Sequence, residues 1–161
     1  MRFLYQQYHF NPQVKRYGGK ITQFPITKEY IKLVKAVQKG MQHVMREKNI
    51  AIETNPSSNY LIGTFKDYSK HPLVNFYNLD LETDTEKIKE CPQLFVSINT
   101  DDQGVFSTSL ENDYALIASA LEQMKDENGQ AKYKPSMIYR WLDNIREMGL
   151  EQSFNKSKYN E

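Results

Sequence analysis

Two carboxylates stand side by side at Asp101-Asp102, directly after the apolar run Leu94-Phe95-Val96-Ser97-Ile98-Asn99 and just before Gln103-Gly104. Adjacent acids repel each other and lose solvation when buried, so such a pair calls for a partner. At the mouth of a parallel strand that partner is a metal ion, a water to be polarised, or a substrate hydrogen-bond donor. Successive residues of a regular strand point to opposite faces. For both acids to enter one pocket, the chain must break there. Gln103-Gly104 offers the break, because glycine tolerates backbone angles that other residues avoid. The competing reading is a solvated turn whose acids favour the start of the helix that follows.

The remaining reactive side chains are few. His9, His43 and His71 are the only histidines, and none belongs to a His-x-His pair. His9 lies in an aromatic N-terminal segment, His43 inside a long amphipathic stretch, and His71 directly before Pro72. Each reads as a non-ligand. Cys91 is the single cysteine, which excludes an intrachain disulfide and suits a reducing cytosol. It reads as a buried or loop thiol. Lys28, Lys32, Lys35 and Lys39 form a basic stripe that reads as a solvated helix face rather than a phosphate contact. With 21 basic and 20 acidic residues, the net charge of +1 argues against a nucleic-acid partner.

The elements that must position these groups follow from periodicity. Met1–His9 reads as the end of a helix, with Leu4 and Tyr8 on one face and no cap in front, so the chain is expected to start inside an element. Asn11-Pro12 and Gly18-Gly19 read as an irregular connection. Tyr30, Leu33, Val34, Val37, Met41 and Val44 recur at helical spacing and predict a helix over 27–48. Strands are expected at 50–54 and 94–99, a polar turn at 55–59, a helical turn at 60–65, and a short helix near 70–76 with Pro72 at its first position. The acidic segment 78–91 reads as irregular. Thr108 with Glu111 three residues later reads as a capping box for a helix running to Lys125, with Leu110, Tyr114, Ile117 and Leu121 turned inward. Pro135-Ser136 opens a last helix carrying Ile138, Trp141, Leu142 and Ile145 and stopped at Gly149. Helix and strand alternate, so the two strands are expected to lie parallel, with chemistry at their C-terminal ends.

The segment Val96-Ser97-Ile98-Asn99-Thr100-Asp101-Asp102, continued by Phe106, Ser109-Leu110 and Asp113-Tyr114-Ala115-Leu116, resembles the last barrel strand and following helix of the adenosine deaminase family. Ile52-Glu53-Thr54-Asn55-Pro56-Ser57-Ser58-Asn59 resembles that family's preceding strand and loop, and His71-Pro72 falls where the family often has the same pair. Asn55 stands where the family commonly has Cys, and Gln103 where it commonly has Pro. The segment 78–91 and the Trp-containing last helix look most similar to large bacterial deaminase-like proteins of phage defence.

What the resemblance implies is an α/β fold, the C-terminal portion of a (β/α)8 TIM barrel with additional helices. On that reading the chain is one partial domain, 1–161. Residues 1–49 are a helical lead-in, 50–126 the last two β/α units, 127–151 a C-terminal helix and 152–161 a tail. The implied activity is zinc-dependent hydrolytic deamination of a purine nucleoside, adenosine to inosine in type. Asp101 would be the catalytic carboxylate and zinc ligand, and Asp102 would contact a ring nitrogen of the purine. The family's His-x-His pair, its further histidines and its general-acid Glu have no counterpart here. The chain is therefore expected to be inactive alone and not to hold zinc alone. The expected partners are the purine nucleoside and either the remainder of the barrel or another copy, with no nucleic acid and no membrane, in the cytoplasm. A non-catalytic assembly module derived from a deaminase barrel is the alternative.

Overall fold

The computed structural model describes residues 2–154. It is a mixed helix and sheet structure, mostly helical, with two short strands among the described residues. The chain divides into two compact units, Met1–Val37 and Gln38–Glu161.

The first unit holds α1 (Arg2–Phe10), α2 (Pro12–Gly18) and the start of α3 (Lys28–Glu47). The connection expected at Asn11-Pro12 is instead the start of a helix. Asn11 Oδ1 accepts from the N–H groups of Gln13 at 2.9 Å and Val14 at 3.4 Å, and Pro12 occupies the first helical position. The same dipeptide that marks a turn also satisfies a helix start, because proline has no N–H to leave unpaired there. Thr27 caps α3 by accepting from Tyr30 N at 3.2 Å. At about 100° per residue, Lys28, Lys32, Lys35 and Lys39 fall on the side of α3 opposite Tyr30, Val34, Val37 and Met41. All four lysines are exposed.

The second unit is built on a parallel pair, β1 (Ile52–Thr54) and β2 (Val96–Ile98). Ile52 pairs with Val96, Glu53 with Ser97 and Thr54 with Ile98. Alternation sorts the sheet into two faces. Val96 and Ile98 are buried in the core with Ile52 packed against it, while Glu53 and Ser97 point to the other face. Asn99 Nδ2 donates to Ser97 Oγ at 2.9 Å, which places it on that polar face too. Thr54 is buried on the core side, where its hydroxyl is satisfied by donating to the Ser97 carbonyl at 2.7 Å.

Helices α8 (Leu110–Gln123) and α9 (Pro135–Glu151) close the core with Ile117, Leu121, Ile138, Trp141 and Ile145. The Trp141 ring is fully buried and its Nε1 donates to the Tyr77 carbonyl at 3.2 Å. Gly149 does not stop α9; the helix runs on to Glu151. A Cβ at 149 would stand 3.4 Å from Ser97 Cβ, an ordinary van der Waals contact, so α9 passes close to β2 there without requiring glycine.

Three further expectations are corrected. The turn 55–59 is already helical, as α4 (Pro56–Ile62), with Pro56 again at the first position. Pro72 precedes α5 (Leu73–Phe76) rather than opening it. The acidic stretch contains α6 (Thr85–Glu90), capped by Asp84 accepting from Glu86 N at 2.9 Å and Lys87 N at 3.4 Å. Cys91 follows it, buried, and burial raises its thiol pKa. Among the described residues no helix is long and apolar enough to cross a membrane.

Candidate active site

β1 runs into α4 and β2 runs into the short helix α7 (Gln103–Phe106), so both polar loops sit at the C-terminal end of the pair. Asp101 carries the break after β2 itself, with φ of 60° in the left-handed region. The break expected at Gln103-Gly104 is therefore placed earlier, and Gly104 lies inside α7. Left-handed backbone is unfavourable for a residue with a Cβ, by about 1 kcal/mol, and Asp is among the few side chains that tolerate it.

The turn sends the two acids to different tasks. Asp101 Oδ2 accepts from Ser58 Oγ at 2.8 Å, which ties the loop after β2 to the first turn of α4. Oδ1 of Asp101 has no hydrogen-bond partner among the described residues, and the residue is exposed. Asp102 is the N-cap of α7, its Oδ1 accepting from Val105 N at 3.0 Å. That leaves Asp102 Oδ2 for any ligand.

A third carboxylate, Asp113, organises this rim from beneath. It is fully buried. Oδ1 accepts from Ser57 N at 2.7 Å, and Oδ2 accepts from Ser57 Oγ at 3.1 Å and Thr108 Oγ1 at 3.0 Å. This network explains why the capping box is off by one residue. Thr108 turns its hydroxyl to the buried acid, and Ser109 caps α8 by accepting from Asn112 N at 3.3 Å. Leu110 then falls on the exposed side of the first turn, 43% accessible. Asp113 was legible only as an anomaly: an acid on the apolar stripe that continues through Ile117 and Leu121.

His71 is buried beside the same helix start. Its Nδ1 accepts from Leu73 N at 3.3 Å, so the ring proton sits on Nε2, which faces Asn59 Oδ1 at 3.2 Å. Burial lowers its pKa to about 4, although the Asp113 charge pulls the other way. The sign follows directly. The unfolded chain takes up a proton near pH 6.5, and the folded chain resists it until about 4. Stability is thus fully present above pH 6.5 and is lost as the pH falls toward 4, by on the order of 2 kcal/mol between pH 7 and 5. Urea unfolding at the two pH values should read this loss, and a His71→Gln chain should show less of it. On the β1 side, Asn55 takes the N-cap position of α4 without capping it, and its buried Oδ1 has no partner among the described residues.

This arrangement meets the comparison with known proteins at one point. The profile of the adenosine deaminase family matches residues 34–154, and that span includes both loops and all three carboxylates. The chain belongs to the adenosine deaminase family. Adenosine deaminase of Bos taurus is 25% identical over 121 residues, covering 69% of this chain and 30% of that protein. Adenosine deaminase of Plasmodium vivax (strain Salvador I) is 32% identical over 109 residues, covering 65% of this chain and 26% of that protein. The Xenopus tropicalis protein of the same name is 25% identical over 122 residues, again 30% of its length. The chain thus spans less than a third of these relatives. No solved structure matches it significantly.

A zinc centre of the type implied for an adenosine deaminase needs three protein ligands. Among the described residues no group of three or more His, Cys, Asp and Glu comes together. Both ring nitrogens of His71 are engaged, and His9 and His43 are exposed on α1 and α3. Asp101 Oδ1 is one donor of the right chemistry. The residues present here do not make that centre by themselves.

Proposed function

We propose that this chain is the C-terminal part of an adenosine deaminase-like hydrolase, acting on a purine nucleoside and replacing the exocyclic amine with oxygen from water. Water enters, ammonia leaves, and adenosine becomes inosine. The observation that carries the reading is Asp101, set in left-handed backbone at the mouth of β2 with one oxygen fixed by Ser58 and the other free.

In this proposal residues 50–126 are the last two β/α units of a (β/α)8 barrel. Asp101 contributes a single carboxylate to a zinc ion whose other ligands come from outside the chain. Asp102 meets a purine ring nitrogen through Oδ2, the oxygen its capping bond leaves free. The lone metal donor supports a chain that is inactive alone. Two parallel strands with open edges support a partner that supplies further strands, either the rest of the barrel or another copy. The absence of a three-ligand group among the described residues also favours a second reading, a non-catalytic assembly module on a deaminase scaffold.

Zinc content and inosine formation decide between them. The chain alone should hold no stoichiometric zinc and form no inosine. Joined to a segment bearing the missing histidines and glutamate, it should do both. Tight zinc and turnover by the isolated chain would refute the inactive-part reading. Zinc and turnover absent from the joined protein would favour the assembly module.

A further inference from the structure

We infer that Ser58 is a positioning residue for Asp101. The argument begins with what holds Asp101 in place. Its backbone lies in the left-handed region, φ 60°, which its own side chain does not favour. Its carboxylate is exposed, and exposed Asp side chains move freely among rotamers. One contact opposes that freedom: Ser58 Oγ donates to Oδ2 at 2.8 Å. Ser58 itself is 1% exposed, so its hydroxyl is walled in and aimed.

The serine is in turn fixed from behind. Its neighbour Ser57 gives both its N–H and its hydroxyl to the buried Asp113. Asn59, the next residue, accepts from Asn55 N at 3.3 Å and faces His71 Nε2 at 3.2 Å. Three consecutive residues of α4 thus each make a bond to a different element, and only the middle one reaches the rim. A charge-assisted O–H···O bond from an immobile donor selects one orientation of the acceptor. With Oδ2 taken, Oδ1 is left as the oxygen presented to a ligand. Nothing in this contact is needed to bury apolar surface. Its effect is to set the direction of one carboxylate.

The functional half of this inference rests on the deaminase reading; the geometric half does not, and the two are measured separately. Three-bond couplings from the Asp101 backbone to its Cγ report its side-chain rotamer by NMR in the isolated chain. They should show one rotamer in the wild type and in Ser57→Ala, and averaging in Ser58→Ala. Ser58→Cys, nearly equal in volume but a weak donor, should average as well, and it serves if the alanine variant folds poorly. In the protein joined to its missing ligands, Ser58→Ala should lower kcat by up to about 100-fold with little change in KM. Ser57→Ala loses its hydroxyl bond but keeps the backbone N–H bond to Asp113 that holds this turn of α4, so it should lower stability and leave kcat close to wild type. A single Asp101 rotamer in folded Ser58→Ala or Ser58→Cys overturns the positioning role. Averaging of the rotamer with kcat retained confirms the contact and overturns its part in turnover. If Asp101→Ala also keeps its activity, the deaminase reading of Asp101 fails while the geometric result stands.

Discussion

Asp101→Ala, made in the chain joined to the ligands that the proposed function calls for, should reduce inosine formation by more than 100-fold. The bound comes from comparison: losing a group that merely supports a metal ligand costs about 10- to 100-fold, and losing the ligand itself costs more. The substitution should leave the fold in place. Asp101 is exposed, and among the described residues its single side-chain bond is to Ser58. What it strands is the buried Ser58 hydroxyl, at a cost of about 1–3 kcal/mol. Relief of left-handed backbone is not gained, since alanine is no better there than aspartate. Circular dichroism should therefore stay native while zinc retention and turnover fall together. Activity that survives would remove Asp101 from the site and favour the assembly reading.

Asp113→Ala should act in the opposite way, on the fold more than on the chemistry. Three donors converge on this buried carboxylate: Ser57 N, Ser57 Oγ and Thr108 Oγ1. Removing the acceptor leaves all three without it, the two of Ser57 buried and that of Thr108 half-buried. Leaving a buried donor without its acceptor costs about 1–3 kcal/mol, and Ser57 supplies two such donors. A domain of this size has roughly 5–15 kcal/mol in total. The variant should show a strongly lowered urea midpoint or be unfolded at 25 °C. Thr108→Ala, which removes one donor and leaves the other two bonds, should cost about 1 kcal/mol. Equal stability of Asp113→Ala and wild type would mean that the loops are held by something else.

The larger features of the fold were readable because they repeat. The stripe Ile138, Trp141, Leu142, Ile145 spans two turns of α9, long enough for a helical period to declare itself. Within the apolar run 94–99 only Val96–Ile98 is a strand, buried throughout, and alternation of helix and strand implied the parallel pairing that Ile52 and Val96 make. The misreadings cluster where an element is too short for a period. α6 has six residues and α7 four. At Asn11-Pro12 and Asn55-Pro56 the same residues serve a turn or a helix start, and only the following chain decides. Gly149 reads as a stop signal, yet α9 continues through it to Glu151, because one glycine near a helix end is tolerated when the flanking turns are formed.

At the site the balance was similar. Asp101 and Asp102 were visible as an acid pair after a strand. Their separation into a bound carboxylate and a helix cap was not, because it depends on one left-handed backbone angle that aspartate tolerates but does not favour. Asp113 was hidden for another reason. Its role is defined by Ser57, 56 residues earlier in the chain, and no local pattern carries that pairing. Thr108 with Glu111 reads as a capping box because that spacing is a common helix start, whereas its hydroxyl donates to Asp113 five residues on and Ser109 takes the cap.

The left-handed turn at Asp101 also bears on how this protein could be engineered. A redesign guided by thermal tolerance alone would choose position 101 early and install glycine or asparagine, which adopt that backbone more easily. Glycine there removes the carboxylate, and asparagine neutralises it. Under the proposed function, the change that most relaxes the loop is also the one that would silence it, so any screen of variants for robustness needs a chemical readout alongside.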